Sequence, residues 1–288
     1  MARDDLVEEI LCCPDCRGAV SRPAENEVLC SQCGRAFAVT EGIYRMMPSN
    51  PLEDRRGEDN PHYQKWLKVA SQALSEYFEN ANPLFRAIHH SAHRRVARNR
   101  ARGGKTGWTL DLGCGTGAHY QYHQGLDRVV GLDPNIDSLQ RIRSRYAGAL
   151  LVQGDARRLP FRANAFASVI SIYSLEHIFH LNVALDEVVR ALADDGLFHL
   201  GIPCEGGLVW RLGRRLTSQR SLSRRYGIDY AQVIRIEHCN TARKILESMN
   251  ARFHVLRKEF FPIQRLRSVD LNLTLTLVAR KAPAAAGK

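Results

Sequence analysis

The chain reads as an α/β protein, a doubly wound sheet with a small cysteine-bearing module ahead of it. Three observations predict this. Residues 108–112 form a short apolar run that empties into Gly113-Cys114-Gly115-Thr116-Gly117, where glycines let the backbone turn tightly and approach a ligand. Beyond that turn, strand-like and helix-like segments alternate, as a Rossmann-like sheet requires. Ahead of it, Cys13-Pro14-Asp15-Cys16 and Cys30-Ser31-Gln32-Cys33 repeat one spacing, with two thiols in each tight turn.

The 288 residues accommodate one large domain and one small module. The N-terminus is acidic and lacks an apolar leader, and no run approaches the ~18 apolar residues of a membrane span. A cytoplasmic protein with no transmembrane segment is expected. Four of the eight cysteines sit in paired spacing, which in a reducing compartment points to metal rather than to a disulfide framework. The net charge of +11 is unevenly placed. Residues 1–60 hold seven basic and twelve acidic residues, whereas the remainder holds thirty-four basic and eighteen acidic ones.

Residues 1–47 are expected to be a zinc ribbon, with Cys13, Cys16, Cys30 and Cys33 as ligands. The thirteen residues between the pairs suit a hairpin whose returning strand is Glu27-Val28-Leu29. Cys12 is spare, because Pro14 and Gly18 set the knuckle on Cys13 and Cys16. With Phe37-Ala38-Val39-Thr40-Glu41-Gly42-Ile43 behind it, the segment resembles the small zinc-ribbon proteins that partner and activate RNA and protein methyltransferases. That resemblance implies structural zinc and a docking or activating role, with a protein partner through the ribbon. Its acidity argues against direct contact with phosphates.

Residues 48–61, rich in Pro, Asn and alternating charge, read as a linker. Residues 62–105 read as two helices parted at Pro83. Trp66, Val69 and Ala73 share one face of the first, and Ile88, Ala92 and Val96 one face of the second. Residues 86–105 carry seven basic and no acidic residues, a self-repelling run that suits an anionic partner.

Residues 106–282 form the main domain. Its second strand, 129–132, ends in Asp133, about 20 positions after the glycine turn, where a ribose hydroxyl acceptor belongs. A third strand spans 149–153, a fourth 166–173, and Asp195-Gly196 turns into a fifth at 197–202. After a helix opened by Thr241 and a strand at 253–260, Leu271, Leu273, Leu275 and Leu277 alternate with polar residues as a last strand. Between the fifth strand and that helix, residues 204–240 carry seven arginines and emerge at the ligand edge of the sheet, as an acceptor lid would. Residues 283–288 are expected to be a disordered tail.

Four motifs in register, Asp111-Leu112-Gly113-Cys114-Gly115-Thr116-Gly117, Gly131-Leu132-Asp133, Gly154-Asp155-Ala156 before Leu159-Pro160-Phe161, and Ser174-Leu175-Glu176-His177, resemble the class I S-adenosylmethionine-dependent methyltransferases, in particular the quinone-biosynthesis branch. The resemblance implies a seven-stranded sheet with an antiparallel last strand. It also implies a set of cofactor contacts. Gly113, Gly115 and Gly117 would approach the methionine part and Asp111 would support its ammonium group. Asp133, with Pro134 beside it, would accept from the ribose, and Asp155 would meet the adenine amino group next to Ala156. Ser171 and Tyr173 would lie where donor and acceptor meet.

Ala167 and Asp194-Asp195-Gly196 depart from the family pattern at positions away from the cofactor. The Asn/Asp-Pro-Pro-Tyr/Phe signature of exocyclic amino methylation is absent at the fourth strand. His177 and Tyr173 are the candidates for proton transfer, with His180, Glu205, His238 and Tyr230 behind them. The expected function is methyl transfer to an anionic small-molecule, glycan or lipid-linked acceptor held by the lid arginines. RNA, ribosomal or transfer, is the alternative acceptor, and a non-catalytic cofactor-binding scaffold is the other alternative.

Overall fold

The strand that feeds the glycine turn lies inside one continuous mixed sheet in a computed structural model of the chain, which describes residues 9–79, 83–123 and 125–283. Four strands come from the cysteine module: β1 (Val20–Ala24), β2 (Glu27–Cys30), β3 (Ala36–Thr40) and β4 (Ile43–Arg45). The others are β5 (Thr109–Leu112), β6 (Val129–Asp133), β7 (Leu150–Gln153), β8 (Phe166–Ile172), β9 (Leu192–Pro203), β10 (Phe253–Phe261) and β11 (Thr274–Lys281). Their order is β1-β2-β3-β4-β7-β6-β5-β8-β9-β11-β10. Among the described residues the sheet therefore has eleven strands, whereas seven were expected of the main domain with the ribbon apart from them. The reason is that β4 pairs parallel to β7, through Ile43 opposite Leu151 and Arg45 opposite Gln153, and so satisfies backbone groups that an edge strand would leave open. β11 runs antiparallel between β9 and β10.

Every residue of β5 and β6 is buried, as a parallel sheet covered on both faces demands. Asp111 and Asp133 belong to those strands, so their carboxylates are carried into the interior by position alone. The covering helices are α1 (Pro61–Glu79), α2 (Pro83–Gly103), α3 (Ile136–Arg145), α4 (Leu181–Ala191), α5 (Leu208–Leu216), α6 (Ser218–Tyr226), α7 (Tyr230–Glu237) and α8 (Ala242–Asn250). Pro61 and Pro83 open α1 and α2, where a missing N–H costs nothing. Asn135 and Thr241 cap α3 and α8 by accepting from the Ser138 and Lys244 amides.

Two strand boundaries differ from the sequence pattern. Asp195-Gly196 does not end one element and start another. β9 begins at Leu192, and its register against β8 jumps from Leu192 opposite Phe166 to Leu197 opposite Ser168, so the extra residues form a bulge within one strand. The alternating leucines do not all belong to a strand either. β11 starts at Thr274, Leu271 is exposed, and Thr274 and Thr276 are buried, because α2 packs on the face they occupy and Ser91 meets Thr274 Oγ1 at 3.4 Å.

The stretch between β9 and α8 forms three short helices, of which α6 and α7 pack against α1. Trp66, Leu222, Ile228, Tyr230, Val233 and Ile234 make their own apolar cluster, and Trp66 Nε1 donates to Glu237 Oε1 at 2.7 Å. Residues 48–60 lie across this group: Arg56 donates to the Ile236 carbonyl at 2.7 Å, and Asn60 to Gln232 at 2.9 Å. Among the described residues no helix is long and apolar enough to cross a membrane. Apart from Pro283, the expected tail lies outside the described residues.

Candidate cofactor and acceptor site

The turn after β5 is shaped for close approach. Gly113 has φ +69°, and a Cβ there would stand 1.9 Å from Ser174 Oγ; Gly115, at φ +51°, faces open space. Beneath them Asp111 is 2% exposed, and its Oδ2 has no hydrogen-bond partner among the described residues. Burial, then the nearby Asp133 carboxylate, push its pKa up to about 7. Asp133 is pinned from both sides, Oδ2 accepting from the Gly115 amide and Oδ1 from the Asn135 amide, each at 2.9 Å. Each of these oxygens keeps a lone pair for a further donor. Asp155 pairs with Arg157 at 2.8 Å, and Ala156 packs against the main apolar cluster.

A cavity of about 630 Å³ opens above the turn. Asp111, Gly113, Gly115, Tyr173 and His177 line it, whereas Gly117, Asp133, Pro134, Asp155, Ala156 and Ser171 do not form its wall. Its sides come from His89 and His93 of α2, His119 after the turn, and Trp210, Gly213 and Arg214 of α5. Tyr173 takes φ +55°, a costly value for a bulky residue, which stacks its ring on His89 at 5.1 Å and lets its hydroxyl donate to the His89 carbonyl. A second, open groove of about 750 Å³ between α8 and β10 has none of these groups.

The imidazole wall of His89, His93 and His119 escapes the sequence reading, although His89 and His93 are spaced to stand one turn apart on a helix. His93 stacks on His119 with ring centres 5.4 Å apart, and their Nδ1 atoms are 3.3 Å apart. Burial lowers His89 to about 4, His119 to about 3, His123 to about 4 and His199 to about 4, and lowers His93 as well. Neutral rings in the fold and protonated rings in the unfolded chain mean that stability is complete above pH 6.5 and falls as the pH drops below it. Each such ring costs about 1 kcal/mol between pH 6.5 and 5.5. Acid unfolding, followed by circular dichroism, is therefore expected to set in below pH 6 and to shift to lower pH in His123→Gln. An unfolding curve flat down to pH 4 would contradict the neutral wall.

At the far end of the cavity, residues from three segments meet. His238 Nδ1 contacts Glu205 Oε2, Arg214 donates to Glu205 Oε1 at 2.6 Å, and the His177 and His238 rings are 4.5 Å apart, edge to face. Burial opposes a charge on His238, but Glu205 outweighs it and raises the pKa above the usual histidine value. Glu176, 2% exposed with an unpartnered Oε2, is pushed up to about 7 by burial. A carboxylate that fixes one imidazole nitrogen and leaves the ring beside a cavity is an arrangement for accepting a proton. His180, in contrast, stands exposed ahead of α4, whereas Tyr230, at the start of α7, packs edge to face on Trp66 and also lines the cavity.

The four ribbon thiols converge. Their sulfur atoms all lie within 4.8 Å of one another, with Cys13 to Cys33 at 3.8 Å and Cys16 to Cys30 at 3.5 Å. Tetrahedral zinc with Zn–S bonds of about 2.3 Å needs sulfur separations of about 3.8 Å, so the donor set fits. The Gly18 and Cys33 amides donate to Cys16 and Cys30 Sγ, as thiolate ligands require. Cys12 faces away from this cluster, its amide bonded to the Pro160 carbonyl.

With its antiparallel last strand and its glycine turn under a cavity, the main domain has the architecture of the class I methyltransferases. Residues 110–200 match the family model of the methyltransferase domain, and residues 4–42 match that of Trm112p-like proteins. One polypeptide thus carries a segment that matches the methyltransferase domain and a segment that matches Trm112p-like proteins. A fatty-acid O-methyltransferase of Mycolicibacterium smegmatis is 37% identical over 94 residues, 31% of this chain and 34% of the relative. A Bacillus subtilis protein provisionally named as a 23S rRNA (guanine-N(1)-)-methyltransferase is 22% identical over 205 residues, 68% of this chain and 65% of the relative. The chain thus spans about a third of the length of the first and just under two thirds of the second. Among solved structures, the complex between the Haloferax volcanii Trm112 methyltransferase activator and a provisionally assigned methyltransferase superposes with a TM-score of 0.51 at 16% identity, covering 78% of this chain and 99% of that one.

Proposed function

We propose that the chain methylates a small, largely apolar acceptor that belongs to a lipid or is lipid-linked. The observation that carries this reading is the cavity wall. Of the six arginines on α5 and α6, Arg214 alone faces the cavity, and Glu205 neutralises it. The rest of the wall is largely imidazole, aromatic and aliphatic, and its carboxyl groups, Asp111, Glu176 and Glu237, offer an acceptor's anionic group no partner, so that group would stay outside among the exposed arginines. The fatty-acid relative agrees with an acceptor of this kind.

S-adenosylmethionine, when bound, supplies an electrophilic methyl group. Asp111, buried with an unpartnered oxygen, takes up the ammonium end of the donor, and Gly113, Gly115 and Gly117 admit its backbone-like part. Asp133 and Pro134 hold the ribose, and Asp155 and Ala156 flank the adenine. Tyr173, with its hydroxyl anchored, borders the point where donor and acceptor meet, and Ser171 lies buried in β8 behind it. His238, oriented by Glu205, removes the proton of an acceptor hydroxyl or amine, and Glu205 then stabilises the imidazolium. The ribbon holds zinc on Cys13, Cys16, Cys30 and Cys33 and acts in cis. It grips residues 158–162, just after Asp155 and Ala156, through Cys12 to the Pro160 carbonyl, Arg17 to the Leu159 carbonyl at 2.5 Å and Arg162 to the Ile10 carbonyl. Cysteines that hold a metal instead of pairing as disulfides suit the reducing cytoplasm, where we place the chain.

Transfer of labelled methyl from S-adenosylmethionine into a fractionated cell extract tests the reading. Label is expected in the lipid fraction, and His238→Ala is expected to slow transfer by roughly 10²–10⁴-fold with donor affinity retained. A second reading, RNA as acceptor, rests on the Bacillus relative, which aligns over 68% of the chain. Label entering RNA instead of lipid would replace the first reading with the second.

A further inference from the structure

The described residues include eleven large apolar side chains that are exposed, and seven of them lie on two adjoining segments, α5 and the loop 262–273. On α5, Leu208, Leu212 and Leu216 recur every fourth residue and are 56%, 60% and 67% exposed. In the loop, Ile263, Leu266 and Leu271 are 45%, 46% and 41% exposed. The two segments are tied together where the Val209 amide donates to the Asp270 carbonyl at 3.0 Å. Solvated surface does not concentrate apolar side chains in this way.

Exposed guanidinium groups border the same surface. Arg211 and Arg215 flank the leucines of α5, and Arg265 and Arg267 alternate with the loop's apolar residues; none of the four has an ion pair among the described residues. The acid within the loop, Asp270, is taken by Arg243 at 2.6 Å. Meanwhile the opposite side of α5, through Trp210, Gly213 and Arg214, forms the cavity wall. One helix therefore separates an apolar, cationic surface from the interior of the site.

We propose that α5 and the loop 262–273 form an interfacial surface that seats on an anionic lipid membrane, with the leucines below the headgroups and the arginines among them. An apolar helix face rimmed with arginines matches that layer in both polarity and charge, and a protein partner would need no such layering. The inference deepens the lipid reading of the acceptor, since an acceptor resting in the membrane would meet the cavity across one helix.

Co-sedimentation with vesicles of phosphatidylcholine containing about one third phosphatidylglycerol, against phosphatidylcholine alone, tests it. The full chain is expected to sediment with the anionic vesicles. The pair Leu212→Asp and Leu216→Asp is expected to weaken binding at least about tenfold, and each of Arg211→Gln and Arg215→Gln about fivefold. Donor affinity by calorimetry should match the wild type in all of these, which shows that the variants are folded. A wild-type chain that stays free of both vesicles overturns the proposal. So does binding that the aspartates leave unchanged, because charge alone would then account for it. Sedimentation without label entering lipid would retain the surface and overturn the acceptor reading, whereas label in lipid without sedimentation would do the reverse.

Discussion

Replacing Asp111 with asparagine is expected to make the ligand-free chain more stable and to reduce its affinity for S-adenosylmethionine by roughly 10²–10³-fold, the effect of leaving a buried ammonium group without its counter-charge. Both effects come from one property. The carboxyl is buried within β5 with an oxygen that has no partner, and its pKa is displaced from 3.8 to about 7. A carboxyl raised in the fold binds its proton more tightly there than in the unfolded chain. Stability therefore falls as pH rises from about 4 towards 7, and the cost is complete above that. Asparagine has the same shape and no charge, so its advantage is a few kcal/mol at most near pH 8 and disappears near pH 4.

Donor binding runs the other way. An ammonium group needs the ionised carboxylate, so wild-type affinity rises with pH up to about 7 and then levels, while the asparagine variant is flat over that range. Melting curves and calorimetric titration at pH 6 and pH 8 measure both. A variant that melts lower than the wild type and binds the donor equally well would refute the role given to Asp111.

Removal of zinc is expected to cost the protein its donor site as well as its ribbon. The ribbon is four short strands, and several of its apolar residues, Ile10, Val20, Val28 and Phe37, are already merged with the main cluster. What holds its own two turns together is the cysteine set, and structural zinc contributes about 10–16 kcal/mol of apparent binding energy in small fingers. With Cys30→Ser and Cys33→Ser together, bound zinc should disappear, the midpoint of thermal unfolding should fall, and donor affinity should drop at least tenfold. The last effect follows because the segment after Asp155 loses the hydrogen bonds donated by Cys12 and Arg17 and the one that Ile10 accepts from the Arg162 amide, which together position it. Metal analysis, melting and calorimetry separate these outcomes. Undiminished zinc would dispose of the ligand assignment, and full donor affinity without zinc would dispose of activation in cis.

The features that were legible in the chain are the ones encoded within a few residues. A backbone with φ near +69° beside Ser174 tolerates only glycine, so the turn at Gly113 is visible as letters. Two thiols in one knuckle need the spacing Cys-x-x-Cys, so the cysteine cluster is visible too, and the sulfurs meet as that spacing requires. The buried runs at β5 and β6, ending in Asp111-Leu112 and Asp133, are read from hydrophobicity alone. By itself, then, the sequence determined the buried strands of the sheet, the glycine turn between them and the paired cysteine knuckles.

Tertiary structure decided what depends on partners far apart in the chain. No local pattern announces that Ile43 will pair with Leu151 and join the ribbon to the sheet, because strand pairing is set by which edge is left open. Glu205, Arg214 and His238 are unremarkable until β9, α5 and the end of α7 bring them together. The leucines of α5 show an amphipathic period, but a period does not say which face is buried. Here the face with Trp210 turned to the cavity and the leucines turned out, an outcome set by what the rest of the fold had already covered.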